Sequence, residues 1–167
     1  IMLEYEKLLK SKVSDLCLVV GDVTSTMACA ITAKRFNVRI AHVEGGIRSG
    51  DLSMPEEINR ILTDSISDIF FTTSKSADEN LRKSGISADK IHFVGNTMID
   101  TLMYNIDRLK KPSFWTSFGF EKKNYFVLTL HRPSNVDEVE SLLSILERVA
   151  KGGRSLPIVF PVHPRTK

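Results

Sequence analysis

Between His42 and Arg60 the chain reads HVEGGIRSGDLSMPEEINR. A histidine, several carboxylates and two arginines are set among three glycines, directly after an apolar run. Glycine lets backbone approach a ligand closely. Carboxylates move protons, and arginines either hold phosphate or pair with the carboxylates. Such a stretch suits acid–base chemistry on an anionic substrate, and it also suits a plain solvated loop. The same kind of polar group recurs after other apolar runs: Asp22 in GDVTST, Glu44 in HVEGG, His131 and Arg132 after YFVLTL, and His163 after IVFPV. Each has a structural alternative. Asp22 also fits a turn or helix cap, Glu44 an exposed turn, and Glu56 with Glu57 a simple complement to a helix dipole.

What must position these groups is legible from the pattern of apolar residues. Leu16–Val20, Val38–His42, Ile69–Thr72 and Ile91–Val94 are short, rich in β-branched or aromatic residues, and separated by helical patterns. They predict buried parallel strands. Helices are expected over Met2–Lys10, Ser25–Phe36, Glu56–Ser67, Lys75–Ser84 and Thr97–Leu109. Thr24 or Ser25 is expected to cap the second, Pro55 to open the third, and Gly85 to close the fourth. This alternation predicts a doubly wound α/β fold with parallel sheets. In such sheets ligands bind beyond the carboxyl ends of the strands, where the candidate groups fall. After Asn96 the rhythm changes. A helix leads into KKPSFWTSFGFEKKN, which has no clear period. A strand is then expected over Tyr125–Leu130, a helix near Val136–Lys151, and a strand over Ile158–Val162. The expected division is residues 1–96 in one Rossmann-like domain, 97–111 as connection, and 112–167 as the start of a second.

Composition narrows the class. The chain has 167 residues, 42% hydrophobic and 26% charged, with a net charge of +3. That excludes a disordered chain and gives no basis for nucleic acid as a partner, though a mildly basic surface helps attract an anion. Cys17 and Cys29 lack metal-ligand spacing and read as free thiols of a reducing compartment. No apolar stretch is long enough to span a membrane. There is no GxGxxG, P-loop, HExxH or GxSxG, and the scattered histidines predict no metal. A chain that starts at Ile1 and stops just after a strand is expected to be a fragment.

GDVTST, HVEGGIRSGD, MPEEINRILTD, VGNTMIDTL, TLHRPSNVDE and PVHPR occur in this order from about Asp15 onward. Together they resemble the non-hydrolysing UDP-N-acetylglucosamine 2-epimerase family, whose fold is GT-B. The resemblance implies two Rossmann-like domains, of which this chain holds the later part of the first and the start of the second. It implies interconversion of UDP-GlcNAc and UDP-ManNAc by eliminating UDP and adding it back through a 2-acetamidoglucal, with no cofactor. It places the catalytic carboxylates on Asp22, Glu44 and Glu56, and His131 beside the diphosphate. His163 falls on the nucleotide side. Arg48, Arg60 and Arg132 are the expected substrate-binding cations. Two departures stand out: Ser134 replaces the glutamate of the HR-x-E-N motif, and Gly45 replaces an alanine. Family resemblance further implies a cytoplasmic homodimer that serves polysaccharide synthesis.

The chemistry agrees with the residue types. Taking a weakly acidic C2 proton needs a base, and returning it needs an acid. Carboxylates crowded in a partly dry cleft favour one of them keeping its proton. A departing diphosphate needs cations or helix N-termini. Rival readings are a hydrolysing epimerase releasing ManNAc, an epimerase for a diacetamido uronic acid nucleotide, a GT-B glycosyltransferase, and a non-catalytic nucleotide-sugar-binding fragment.

Overall fold

A computed structural model describes residues 1–153 and 156–166. The chain divides into two compact units, Ile1–Asp107 and Arg108–Lys167.

In the first unit four parallel strands stand in chain order: β1 (Leu16–Val20), β2 (Arg39–Val43), β3 (Ile69–Thr72) and β4 (Ile91–Phe93). They alternate with α1 (Met2–Ser11), α2 (Thr24–Arg35), α3 (Pro55–Ile66) and α4 (Lys75–Lys83), and α5 (Thr97–Asn105) follows β4. The period-2 alternation of β1 turns Cys17 and Val19 inward, while Leu16, Leu18 and Val20 remain exposed. Cys17 and Val19 meet Ala30 and Ala33 of α2, together with Val38 and Ile40. Ala30 and Ala33 present only methyl groups to these side chains, which lets α2 lie close to the sheet. Tyr5 and Leu9 of α1 close this cluster from outside.

The element boundaries have local causes. α2 starts one residue earlier than expected, and neither Thr24 nor Ser25 caps it. Val23 holds the cap position, without a side-chain bond. The hydroxyl that ties the helix start down belongs to buried Thr26, which donates to the Val20 carbonyl at 2.7 Å. Pro55 opens α3 as expected, because its missing N–H and fixed φ suit the first helical position. After α4, the N–H groups of Gly85 and Ile86 donate to the carbonyls of Arg82 and Leu81, both at 3.0 Å. That pairing needs a left-handed residue, and Gly85 has φ +85°. α5 ends short of Leu109, in a 3-10 turn over Ile106–Arg108.

In the second unit β5 (Phe126–Val127) pairs in parallel with β6 (Ile158–Val159). Between them lie a single turn, α7 (Pro133–Val136), and the longer α8 (Val139–Gly152). Both strands are shorter than the runs Tyr125–Leu130 and Ile158–Val162 suggest. The reason is chemical. Leu128 donates to the Val159 carbonyl at 2.9 Å, and the next rung would need the N–H of residue 161, which is a proline. Ahead of β5, the stretch without a period forms a turn, α6 (Phe114–Ser117), inside an aromatic cluster. There Trp115 meets Tyr125 edge-on with ring centres 4.7 Å apart.

Two glycines separate backbone strain from crowding. A methyl on Gly85 would meet nothing within 4 Å, whereas one on Gly46, with φ +82°, would lie 2.4 Å from the Ala77 carbonyl oxygen. In urea denaturation of the complete gene product, Gly85→Ala should lose about 1–2 kcal/mol, the left-handed penalty alone. Gly46→Ala should lose clearly more, because α4 has to give way. Equal losses would show that the Gly46 loop is not seated on α4.

Candidate active site

The carboxyl ends of β1 and β2 hold their candidate residues by the last rungs of the sheet. Gly21 N–H donates to the Val43 carbonyl at 3.0 Å, and Glu44 N–H donates to the Phe71 carbonyl at 2.9 Å. Glu44 itself sits at φ +70°. A β-strand residue with a side chain avoids that left-handed region, and such strain persists only where surrounding bonds impose it. Its twist turns the carboxylate back over β1: a methyl built on Gly21 would lie 3.7 Å from Glu44 Oε2. Glu44 is half-buried, and its carboxylate makes no hydrogen bond among the described residues.

Asp22, the next residue along from Gly21, is gripped by α3. Arg60 Nε donates to Asp22 Oδ2 at 3.0 Å, and a second Arg60 nitrogen bonds the same oxygen. Asn59, itself buried, donates to the Asp22 carbonyl at 2.7 Å. Burial works against the charge on Arg60, but its bonds to Asp22 and Glu57 outweigh that and hold the guanidinium more firmly protonated than usual. Glu56 lies one turn before Asn59 and Arg60, so it shares their helix face. It is exposed, and its carboxylate is unpaired among the described residues.

The neighbouring Glu57 does something else. It is 2% exposed and accepts from Ser49 N–H at 2.9 Å, Gly50 N–H at 3.1 Å and Arg60 Nη1 at 3.2 Å. Burial pushes its pKa up. The two backbone N–H groups, Arg60 and the Ser49 hydroxyl pull it further down, to about 2. A second carboxylate, Asp64, is 3% exposed. It accepts from Gly46 N–H at 3.0 Å, faces His42 Nδ1 at 2.7 Å and pairs with Arg48 at 2.6 Å. Arg48 therefore points inward at Asp64, and Arg60 points at Asp22. Both expected substrate-binding arginines of this unit are engaged with protein carboxylates.

In the second unit the two candidate histidines come together. His131 follows β5 and His163 follows β6, and their rings lie 5.8 Å apart, centre to centre. Arg165 donates twice to Asp137, at 2.7 and 2.8 Å. That bond holds the Asp137 carboxyl below its ordinary range. Thr166 donates to the Leu130 carbonyl at 2.8 Å, which ties the chain after His163 to the end of β5. Arg132 caps α7 with its backbone, and Ser134 is the second residue of that turn; both side chains are exposed. Among the described residues no group of three histidine, cysteine or carboxylate side chains is gathered as a metal site. Nor is any helix among them long and apolar enough to cross a membrane.

A family model described as UDP-N-acetylglucosamine 2-epimerase matches residues 1–167. The chain belongs to that family. It is 39% identical over 170 residues to a UDP-N-acetylglucosamine 2-epimerase of Methanococcus maripaludis, with 99% of this chain covered and 46% of the relative. It is also 39% identical over 170 residues to a UDP-2,3-diacetamido-2,3-dideoxy-D-glucuronate 2-epimerase of Pseudomonas aeruginosa, covering 99% and 47%. A crystal structure of the Methanocaldococcus jannaschii UDP-GlcNAc 2-epimerase in complex with UDP-GlcNAc and UDP superposes with a TM-score of 0.83 at 40% identity, over 99% of this chain and 46% of that one. The α/β fold with parallel sheets, of GT-B type, is thus the one expected. The chain spans about half the length of the relatives it matches.

Residue type and position alone do not mark His42, Asn59 or Asp64 as site residues, and they mark Glu57 only as a complement to the helix dipole. A signal for His42 was present: it stands two residues after Ile40, so strand alternation turns it to the same buried side. For Glu57 the signal is its i,i+3 spacing to Arg60.

Glu57 sets a pH dependence. Its folded pKa of about 2 lies below the ordinary 4.5, so its stabilisation is complete above about pH 4.5 and fades as pH falls toward 2. At pH 7, Glu57→Gln should lower unfolding stability by about 3 kcal/mol, because Arg60 and two amides lose a buried anion. The gap between the two proteins should shrink on acidification below about pH 4.5. A gap that stayed constant down to pH 2 would mean that Glu57 is not the anion holding the loop.

Proposed function

We propose that this chain supplies part of the active site of an enzyme that interconverts UDP-GlcNAc and UDP-ManNAc by epimerisation at C2. The observation that carries the reading is the placement of Glu44 and Asp22 just beyond the neighbouring ends of β2 and β1. One is an unpaired carboxylate held in a strained conformation over Gly21. The other is fixed by Arg60. Strain imposed by sheet rungs at a strand end is what a site under functional constraint shows.

In this reading one carboxylate takes the C2 proton while the C1–oxygen bond to UDP breaks, leaving a C1=C2 double bond. UDP then re-adds at C1 as a proton returns to the opposite face of C2. Atoms and charge balance with UDP as both leaving group and nucleophile, so no oxidant or reductant is consumed. Asp22, Glu44 and Glu56 share the work of base, acid and stabiliser of the positive charge that develops at C1. His131, Arg132 and His163 form the diphosphate and nucleotide side, and the units correspond to parts of two Rossmann-like domains joined across residues 97–111. Arg48 and Arg60 act through Asp64 and Asp22 as well as on the substrate. The enzyme is read as a cytoplasmic homodimer of the non-hydrolysing kind, feeding polysaccharide synthesis.

A second substrate has a specific basis, because identity to the diacetamido-glucuronate epimerase equals that to the UDP-N-acetylglucosamine enzyme, at 39%. The same C2 chemistry would then act on a charged sugar.

Incubating the complete gene product with each UDP-sugar in deuterated water, followed by proton NMR, separates these outcomes. UDP-ManNAc carrying deuterium at C2 is expected. Free ManNAc with UDP would make the enzyme hydrolysing, and turnover of the diacetamido substrate alone would select the second reading. Glu44→Gln should lower kcat by about 100-fold or more, the usual contribution of a positioned acid or base, with KM within a few-fold. Turnover within a few-fold of wild type would remove Glu44 from the chemistry.

A further inference from the structure

We infer that His42 and Asp64 are positioning residues: a buried pair that sets where Glu44 stands relative to Asp22. The inference rests on the acid–base roles proposed above for those two carboxylates.

The pair joins three segments: the end of β1, β2 and α3. His42 lies on β2 with 0% exposure. Its Nε2 faces the Gly21 carbonyl at 3.0 Å and its Nδ1 faces Asp64 Oδ1 at 2.7 Å. Gly21 immediately precedes Asp22. Asp64 lies on α3, the helix that also carries Glu56 and the Asp22-binding Arg60. Its other oxygen takes the Gly46 N–H, two residues beyond Glu44, and the Arg48 guanidinium. One imidazole and one carboxylate thus fix Gly21 on one side of Glu44 and Gly46 on the other.

Both partners of the ring are acceptors, a carbonyl and a carboxylate. Asp64 also accepts from the Gly46 N–H and pairs with Arg48. Gly45 packs the gap so closely that a methyl on it would lie 3.2 Å from Asp64 Oδ1 and 3.4 Å from His42 Nδ1. No apolar pair of the same volume replaces these bonds, since the Gly46 N–H and the Gly21 carbonyl would be left unmet.

A positioning role and a purely stabilising one differ in what they disturb. His42→Asn keeps a donor near Asp64 and gives up the Gly21 bond; His42→Gln reaches Gly21 and gives up Asp64. Asp64→Asn retains shape but removes the charge that pairs with Arg48 and replaces one acceptor oxygen by an NH2 group. In the complete gene product, each variant should lower kcat for UDP-GlcNAc epimerisation by roughly 10- to 100-fold, as a displacement of about 1 Å does, with KM within a few-fold. C2 deuterium incorporation should fall in parallel. Amide hydrogen exchange should accelerate at Glu44 and Gly46 while Ala30 and Ile40 in the core stay protected. Wild-type kcat in all three variants would overturn the inference. So would faster exchange spread evenly over the first unit, which would make the pair a core stabiliser. If the wild-type protein leaves UDP-GlcNAc unchanged, the proposed reaction fails, and the exchange pattern alone then decides the positioning role.

Discussion

The loop after β2 is held by carboxylates instead of by other backbone. From Gly46 to Gly50 the chain leaves the sheet without forming a helix or strand, so its N–H groups need acceptors. α3 provides them. Asp64 takes Gly46, and Glu57 takes Ser49 and Gly50. The two carboxylates stand seven residues apart, two helical turns along one face. Their spacing therefore matches the advance of the loop over the helix. Everything proposed for the first unit depends on this match, because the same loop starts at Glu44 and the same helix grips Asp22.

A division of labour follows among side chains of one chemical type. Glu56 and Glu57 are adjacent in sequence, and about 100° of helix rotation sends one outward and the other inward. Glu57, satisfied by amides and Arg60, keeps its charge to about pH 2 and is unsuited to proton transfer near neutrality. Glu44 and Glu56 have no such partners among the described residues. Asp22 stands between these cases, since Arg60 binds one of its oxygens twice and leaves the other open. The contrast shows why counting carboxylates is a weak guide to acid–base roles, and why the donors around each one are a better guide.

How much of this was legible in the sequence varies by element. β1 and β3 fall on the residues expected for them, because short apolar runs between helical patterns leave few alternatives. Pro55 and Gly85 mark their helices correctly, since a fixed φ without an N–H suits a helix start and glycine adopts the left-handed region without strain. The second unit was harder. Its strands are two residues each, and Pro161 ends their ladder, a limit that apolar patterning does not express. At the site, the residues flanking a strand end could be picked out by position. The inward turn of Arg48, and the pairing of His42 with Asp64, could not. They follow from a contact between β2 and a helix about twenty residues further on, and single-residue types carry no record of it.

The second unit shows the same logic with fewer parts. Parallel pairing of β5 with β6 places the residues after both strands at one end of the sheet, so His131 and His163 become neighbours although 32 positions separate them. The contact needs both loops to turn in a fixed way. After β5, Pro133 starts a helical turn two residues beyond His131. After β6, the Arg165–Asp137 pair and the Thr166 hydroxyl hold the chain against the first loop. Asp137 directly follows α7, so the ion pair locks the end of one histidine-bearing loop to the other. The two rings therefore face the same end of the sheet, 5.8 Å apart. In the first unit Glu57 and Asp64 hold the loop through its backbone amides; in the second, the Arg165–Asp137 pair ties together the two segments that carry the histidines, and His163 Nδ1 accepts from the Arg165 N–H at 3.1 Å. In both units, charged bonds fix the backbone that carries the candidate groups, directly for Asp22 and through neighbouring loop residues for the others.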